Sequence, residues 1–365
     1  MMTDPQILLT PGPLTTHPAT RQAMLRDWGS RDAGFIALTA EMRARLLGIA
    51  KGGASHAAVP LQGSGTFVVE AAIATLLKPS DRLLVLVNGA YGERMATIAR
   101  RMGREVAVLR WPEDHPVDPA QLAEALRADA AATHIAMVHC ETTTGILNPL
   151  AEVAAVVARA GRHFLLDAMS SFGALPVDLA SVPITALMAS SNKCLEGVPG
   201  IGFALIDRAA LAAAEGNSSS LSLDLHAQWR GFERDGQWRF TPPVQVVAAL
   251  VVALRRLEEE GGPEARLRRY CRNLEILASG MKRLGFPLFL DRAVQAPIIA
   301  TFHLPKAAPK FQDLYDALAA RGFLIYPGKL TEADTFRIGC IGAIDETVFR
   351  RLLDAMEDSL RFLRP

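Results

Sequence analysis

The sequence predicts an α/β fold in which a mainly parallel sheet is covered by helices on both faces. Between residues 82 and 206, continuous apolar runs alternate with amphipathic segments. Such runs are typical of strands that are buried on both faces, and strands that alternate with helices favour parallel pairing. The chain has 365 residues, of which 50% are hydrophobic. It is therefore long enough for one large core and a smaller second domain.

The elements of this sheet are predicted in a regular order. Strands are predicted over residues 82–87, 105–109, 134–138, 163–166, 184–189 and 201–206. Helices are predicted over residues 37–50, 67–77, 91–102, 119–128 and 150–160. An extended segment over 7–14 runs into a proline turn, and a helix follows Pro18. Ligands of such sheets bind at the carboxyl ends of the strands.

The carboxyl-terminal part predicts a small α+β domain. Residues 215–239 are rich in serine and glycine and predict a surface loop, and a long apolar helix follows to about residue 260. Gly261, Gly262 and Pro263 break that helix, so we divide the chain into a large domain, 15–262, and a small domain, 1–14 with 263–365. Beyond the break, the sequence predicts helices over 264–284, 311–320 and from 345. It predicts strands over 287–290, 298–303, 323–326 and 335–339. The arginines at 266, 268, 269 and 272 predict a solvated helix face.

Composition excludes several classes of function. The formal net charge of +1 gives little support to a nucleic-acid or acidic-membrane partner. Four cysteines are too scattered for a disulfide framework or a zinc site. No apolar run approaches the length of a membrane span, and the first residues contain no basic segment with an apolar signal core. These features predict a cytoplasmic enzyme.

Lys193 is the residue around which the chemistry is organised. It lies in a small polar turn after one apolar strand, and a Val-Pro-Gly loop leads from that turn into the next strand. A glycine loop lets the backbone approach a ligand closely, and a lysine there can form the Schiff base that holds pyridoxal 5′-phosphate. Asp167, which ends another apolar strand, is placed to keep the pyridine nitrogen of that cofactor protonated. A turn or a helix cap is the alternative for Asp167.

The remaining demands of such a site also have candidates. Tyr91 follows a strand and can stack on the cofactor ring, although packing at a helix start explains it equally well. Ser64, Gly65 and Thr66 form a glycine turn at a helix start, which suits a phosphate, and Thr241 is a distant addition.

Arg337 lies in an otherwise apolar strand. It either pairs internally or binds an anionic substrate, because a buried charge without a partner is costly. Cys340 is assigned to packing, and His139, Cys140 and Glu141 do not provide enough ligands for a metal.

Taken together, these motifs identify a family. The chain resembles the class V aminotransferases of PLP fold type I. The resemblance covers nearly the whole chain, and the motifs occur in the same order as in the family. The resemblance rests on Thr10-Pro11-Gly12-Pro13, Gln62-Gly63-Ser64-Gly65-Thr66, Gly89-Ala90-Tyr91-Gly92-Glu93-Arg94, Glu141-Thr142-Thr143-Thr144-Gly145, Asp167-Ala168-Met169-Ser170-Ser171, Ser191-Asn192-Lys193, Arg239-Phe240-Thr241-Pro242, Tyr326-Pro327-Gly328-Lys329 and Phe336-Arg337-Ile338-Gly339.

The resemblance implies a mainly parallel seven-stranded sheet, pyridoxal 5′-phosphate as cofactor, and roles for individual residues. Lys193 would be the Schiff-base lysine, Asp167 the partner of the pyridine nitrogen and Arg337 the ligand of the substrate anion. The residues that would contact the cofactor are Ser64, Gly65, Thr66, Tyr91, Thr143 (at the 3-hydroxyl), Asn192 and, from the second subunit of a homodimer, Thr241. Arg31, on an early loop, is a further candidate for substrate binding.

The resemblance also implies a reaction. The Asn192–Gly197 and Tyr326–Lys329 stretches resemble the branch of the family that transfers the amino group of 2-aminoethylphosphonate to pyruvate. Other class V transaminases, such as those acting on alanine or serine with glyoxylate, are the alternative. A cysteine-desulfurase type of lyase and an α/β protein with a structural lysine are less consistent with the sequence, because a mobile cysteine loop is missing and because Lys193, Asp167 and Arg337 occur together.

Overall fold

The computed structural model describes residues 6–330 and 333–363. Its first part contains β1 (Ile7–Leu8), α1 (Pro18–Gln22) with a short 3-10 turn (Ala23–Leu25), α2 (Ala33–Ile49), β2 (His56–Gln62), α3 (Gly65–Leu76), β3 (Arg82–Val87), α4 (Ala90–Arg101), β4 (Glu105–Arg110), α5 (Pro119–Ala128), β5 (Ala132–Val138), β6 (Cys140–Glu141), β7 (Ile146–Leu147), α6 (Leu150–Arg159), β8 (His163–Asp167), β9 (Ala186–Ser190), β10 (Ile201–Asp207), α7 (Arg208–Ala212), α8 (Leu225–Asp235) and α9 (Val244–Glu259). The predicted alternation of strands and helices is confirmed.

The second part is smaller. It contains α10 (Gly262–Arg283), β11 (Ile299–His303), α11 (Phe311–Ala319), β12 (Phe323–Leu324), β13 (Tyr326–Pro327), β14 (Thr335–Gly339) and α12 (Glu346–Leu363). The strand expected over 287–290 is reduced to a single bridge between Leu288 and Phe302. No helix of the described residues is long and apolar enough to cross a membrane.

A seven-stranded sheet forms the centre of the first part. Its order is β2-β10-β9-β8-β5-β3-β4, and β10 is antiparallel to both of its neighbours while the other pairs are parallel. Alternate residues of β5 pack on opposite faces, with Ile135 and Met137 in one apolar cluster and Ala136 and Val138 in the other. Both faces are therefore buried under helices, which explains the continuous apolar runs.

The second part has its own antiparallel sheet, in the order β11-β14-β13, and its own apolar cluster. The amino-terminal strand β1 pairs in parallel with β12, and Leu9 belongs to the same cluster. The division of the chain at residues 14 and 262 stays a prediction, and this separate cluster supports it.

Helix α8 corrects the prediction of a loop over 215–239. Asp224 caps the helix by accepting a hydrogen bond from the backbone N–H of Ala227 at 2.9 Å. Leu225, Trp229 and Phe232 are buried on one face, a spacing of four and three residues that is typical of a helix. The serine and glycine residues that flank the segment obscured this pattern.

The prediction of a solvated arginine face on α10 is wrong for Arg266 and Arg269. Arg268 and Arg272 are exposed, as predicted. Arg266 is only 2% exposed, and its guanidinium donates to the carbonyl of Cys194 at 2.8 Å. Arg269 and the Tyr270 hydroxyl both donate to Oε1 of Glu196, at 2.7 and 2.6 Å.

These contacts join α10 to the turn that follows Lys193. Glu196 has a φ of 58°, a strained value for a residue with a side chain, and the contacts from α10 hold it there. The arginines are buried because the lysine turn supplies acceptors that their sequence spacing does not reveal.

We expect Glu196→Gln to lower the free energy of unfolding by about 3 kcal/mol, because it removes the charge that the buried Arg266 and the partly buried Arg269 face. Glu259→Gln is the matched control, since its one ion pair, to Arg256, is long at 3.9 Å and exposed. Urea denaturation of both variants measures the difference. Equal stability of the two variants would contradict the importance of the buried cluster.

Candidate active site

A cavity opens at the carboxyl ends of the central strands, where the sequence placed the site. It contains most of the predicted residues and several others: Ser64, Gly65, Thr66, Val69, Tyr91, Arg94, Met95, Val138, Cys140, Thr142, Asp167, Met169, Ser170, Ser190, Asn192 and Lys193. Val138 and Asp167 are register partners at the ends of β5 and β8, and Ser190 ends β9. The parallel strands therefore deliver these side chains to one edge.

Lys193 is held in the cavity by the amino-terminal segment. Its Nζ donates to the carbonyl of Pro11 at 2.6 Å. Burial, the largest influence, lowers the pKa of Lys193, and the positive charge of Lys329 acts in the same direction. A lowered pKa raises the fraction of neutral amine, which is the form that attacks carbonyl groups and accepts protons.

Gly12 makes room for that lysine. It has a φ of +116°, and a Cβ at this position would lie 2.7 Å from Cδ and 2.9 Å from Nζ of Lys193. Sequence reasoning recognised the Thr10–Pro13 turn but assigned Gly12 no role. The positive φ could not be inferred from the turn alone, because the close approach involves a residue far along the chain.

Asp167 is buried at the end of β8, and one of its carboxylate oxygens accepts from the backbone N–H of Met169 at 2.9 Å. Burial raises the pKa of Asp167 to about 6, and the nearby Glu141 carboxylate contributes in the same direction. No cationic side chain of the described residues lies within ion-pair distance of it. The site therefore contains an acid whose charge lacks a protein partner.

The glycine turn before α3 forms the second end of the cavity. Ser64 is the residue before the helix, and its hydroxyl has no hydrogen-bond partner in the described chain. Arg94 donates to the Thr66 hydroxyl at 3.3 Å. Free N–H groups at the start of this 12-residue helix, two hydroxyls and a guanidinium are donors that suit a phosphate. The sequence motif that contains Arg94 predicts no role for this residue.

Glu141 organises the start of α4, a part of the site that sequence reasoning left without a function. Its buried carboxylate accepts from the backbone N–H groups of Tyr91, at 3.0 Å, and Gly92, at 3.3 Å. It also accepts from the N–H of Thr143 at 3.1 Å and from its hydroxyl at 2.6 Å. Burial raises the pKa of Glu141, against the effect of these donors. The hydrogen bonds fix Tyr91 at the edge of the cavity.

Arg337, on β14, is only 1% exposed. Its Nε donates to the carbonyl of Pro327 at 3.0 Å, and its Nη1 donates to the carbonyl of Thr142 at 2.8 Å. No carboxylate of the described residues lies within ion-pair distance of the guanidinium. The sequence left two alternatives for Arg337, internal pairing with an acid and binding of an anionic substrate. The described residues contain no such acid, and anion binding is therefore favoured.

Four predicted residues do not line this cavity. Arg337 lies beside it, with its guanidinium on the carbonyl of the lining residue Thr142. Thr143 is buried with its hydroxyl donating to Glu141, and its neighbour Thr142 lines the cavity instead. Arg31 is exposed, with Asp235 as a nearby charge. Thr241 is exposed between α8 and α9. Their contacts with cofactor or substrate stay predictions. No group of three metal-ligating side chains occurs among the residues that the structure describes.

Comparison with known proteins decides the family. The sequence profile described as aminotransferase class V matches residues 26–333. The chain is also 53% identical over 361 residues to the 2-aminoethylphosphonate–pyruvate transaminase of Pseudomonas putida (strain GB-1), which covers 99% of this chain and 98% of that relative. This chain belongs to the class V aminotransferases.

Solved structures of two aminotransferases share its fold. Alanine–glyoxylate aminotransferase from Nostoc sp. superposes with a TM-score of 0.93 at 25% identity, over 99% of this chain and 97% of the other. Pyridoxamine–pyruvate aminotransferase from Mesorhizobium loti gives 0.90 at 25% identity, over 99% and 93%. The predicted PLP fold type I is thus confirmed.

Class V aminotransferases use pyridoxal 5′-phosphate, and the residues of the cavity fit this group. An amine, Lys193, suits its aldehyde, and the donors before α3 suit its phosphate. Asp167 is a buried acid without a cationic partner among the described residues, and a protonated pyridine nitrogen would supply the missing charge. Gly65 leaves space where a side chain would meet Sδ of Met169 at 2.5 Å.

We expect Gly12→Ala to lower kcat by about 100-fold, because a displaced reacting group loses the geometry that the reaction needs. Gly103→Ala is the matched control, since its φ is also positive, at +69°, and a Cβ there meets nothing within 4 Å. Both variants carry backbone strain, and only the first displaces Lys193. Measurement of kcat together with melting temperature separates the two effects. Equal kcat values would contradict the role of Gly12.

Asp167→Asn is expected to stabilise the apoprotein in a pH-dependent way. A folded-state pKa of about 6 exceeds the ordinary pKa of an aspartic acid, 3.8, so ionisation of Asp167 destabilises the fold progressively as pH rises from about 4 to 6. The stability of the variant relative to the native chain should increase by about 3 kcal/mol over this interval and then level off. Denaturation at a series of pH values, with exposed Asp313→Asn as control, measures this. Parallel curves for the two variants would refute the prediction.

Proposed function

We propose that this chain transfers the amino group of 2-aminoethylphosphonate to pyruvate, which gives phosphonoacetaldehyde and L-alanine. The observation that carries the proposal is the buried, acid-free guanidinium of Arg337 beside the cavity of Lys193 and Asp167. Both amino acceptor and amino donor of this reaction carry an acid group on a short chain. The 53% identical relative that bears the name of this activity supports the same choice.

The chain's own residues account for the steps. Bound pyridoxal 5′-phosphate supplies an aldehyde that accepts the amino group and a ring that withdraws electrons from the reacting carbon. Arg337 binds the acid group of the substrate and so orients its amine towards Lys193. The Lys193 amine then removes the proton from the carbon that bears the nitrogen and returns it on the other side of that bond.

The same groups serve both halves of the reaction. Asp167 carries the negative charge that keeps a proton on the ring nitrogen. Ser64, Thr66 and the N–H groups at the start of α3 hold the phosphate, so that the substrate half of the site stays free. Pyruvate then binds where the phosphonate left. Water would release phosphonoacetaldehyde in the first half, and the Lys193 amine would displace L-alanine in the second. A single arginine accepts both acids in turn because its fork fits either one.

The alternative class V activities differ in the acid that they accept. Alanine–glyoxylate transamination is supported by the Nostoc sp. structure, but at 25% rather than 53% identity. A lyase with a cysteine nucleophile is disfavoured because Cys340 is fully buried in the apolar cluster of the second part of the chain. Burial also raises the pKa of its thiol, which therefore stays protonated.

The enzyme is further proposed to be a cytoplasmic homodimer with shared sites. Phe67, next to the phosphate donors, and Phe240, next to Thr241, are about half exposed at 51% and 47%, and covering such surfaces favours association. A dimer contact there would bring Thr241 of one subunit to the phosphate of the other. The four cysteines are free in the described chain, which suits a reducing compartment. A monomeric mass in sedimentation experiments at micromolar concentration would exclude the dimer.

We expect the purified holoenzyme to be yellow and its visible band to shift when 2-aminoethylphosphonate is added. Turnover with pyruvate should exceed turnover of alanine or serine with glyoxylate. Lys193→Ala should lower kcat by at least about 1000-fold, since it removes the general base, whereas Lys51→Ala removes only an exposed ion pair with Asp178. Rapid turnover of alanine or serine with glyoxylate, with no spectral response to 2-aminoethylphosphonate, would overturn the assignment.

A further inference from the structure

Lys329 is an exposed lysine that lies against the cavity rather than in a surface ion pair. Its Nζ lies 3.4 Å from the Tyr91 hydroxyl and 5.1 Å from the centroid of that ring. No carboxylate of residues 6–330 and 333–363 lies within ion-pair distance of it. An ammonium group over an aromatic face is attracted by the ring, but its charge stays available to an anion.

The same hairpin carries Lys329 and Arg337. Tyr326 on β13 pairs with Arg337 on β14, and the Arg337 guanidinium holds the carbonyl of Pro327. A side chain at Gly328 would collide with Thr335, so the segment lies close against β14. Lys329 follows immediately, which places its charge at the Arg337 end of the site.

Tyr91 is also contacted by a second cation. The Arg94 guanidinium lies 4.8 Å from the Tyr91 ring centroid, and it donates to Thr66 at the start of α3. Arg94 is thus tied to the glycine turn before α3, whereas Lys329 belongs to the hairpin that carries Arg337.

Arg337 alone does not match a phosphonate. Two of its five N–H groups already donate to backbone carbonyls, and its outer fork binds two oxygens. A carboxylate has two oxygens and one charge, so this fork satisfies it. A fully ionised phosphonate, like a phosphate monoester, has a third oxygen and a second charge.

We propose that Lys329 is a specificity-determining residue that binds the third oxygen of the substrate phosphonate and balances its second charge. This inference rests on the proposed function. Lys329 thereby lets one small site accept a doubly charged tetrahedral acid in the first half-reaction and a singly charged planar acid in the second. The long exposed side chain of lysine serves this alternation, because it returns to water and to the Tyr91 ring when the carboxylate is bound.

The experiment compares two acids that differ only in the acid group. Ethylphosphonate and propionate are used as competitive inhibitors of the holoenzyme, and kcat/KM is measured for 2-aminoethylphosphonate and for L-alanine as amino donors. Lys329→Met is the test variant, and Lys329→Arg keeps the charge. Lys282→Met, in the last turn of α10, is the control for loss of an exposed lysine.

Lys329→Met should weaken ethylphosphonate inhibition and lower kcat/KM for 2-aminoethylphosphonate by about tenfold, the effect of one lost charge-assisted hydrogen bond. Propionate inhibition and kcat/KM for L-alanine should change less than about twofold, Lys329→Arg should recover most of the loss, and Lys282→Met should match the native enzyme. Equal losses for phosphonate and carboxylate, or no loss for either, would overturn the inference. Native enzyme that processes L-alanine but neither binds nor processes the phosphonates would instead overturn the proposed function, and this inference with it.

Discussion

The burial of one amine beside one acid is the constraint on which this site depends. Lys193 and Asp167 line the same cavity. Burial lowers the pKa of Lys193 and raises the pKa of Asp167, so it favours the neutral form of each side chain. Neither arrangement stabilises the apoprotein, because an isolated charge in such a place is costly. Bound pyridoxal 5′-phosphate would supply an aldehyde for the amine and a cationic ring nitrogen for the acid. The fold therefore maintains an electrostatic environment that fits this cofactor.

The surrounding structure holds this environment in place from three directions. The parallel sheet brings the ends of β5, β8 and β9 to one edge. The amino-terminal turn covers Lys193 through the carbonyl of Pro11. Strand β1 connects that turn to β12 and so to the second part of the chain. Helix α10 clamps the residues after Lys193 through Arg266 and Arg269. Movements of the second part of the chain are thus coupled to the position of the reactive amine.

Charge is distributed along the site in a way that suits its two anions. Arg94 donates to Thr66 at the start of α3 and lies near the Tyr91 ring, and Lys329 lies near the same ring on the hairpin that carries Arg337. Of the two buried acids, Asp167 accepts from the backbone N–H of Met169, and Glu141 orders the start of α4. The net effect is a pocket that attracts acidic substrates although the whole chain is almost neutral at +1.

The sequence by itself determined the alternation of strands and helices and the residues at the strand ends. Burial on two faces and helical periodicity both appear in the order of apolar and polar residues that are close together in the chain. The sequence therefore predicted that Lys193, Asp167, Tyr91 and the Ser64–Thr66 turn lie at one edge of the sheet, and these residues line one cavity. Only the tertiary structure decided that Gly12 makes room for Lys193, that Glu141 holds α4, and that Arg266 is buried rather than solvated. It also gave Arg337 carbonyl rather than carboxylate partners. Each of these depends on groups far apart in the chain, and local pattern carries no information about which distant acceptor a side chain meets.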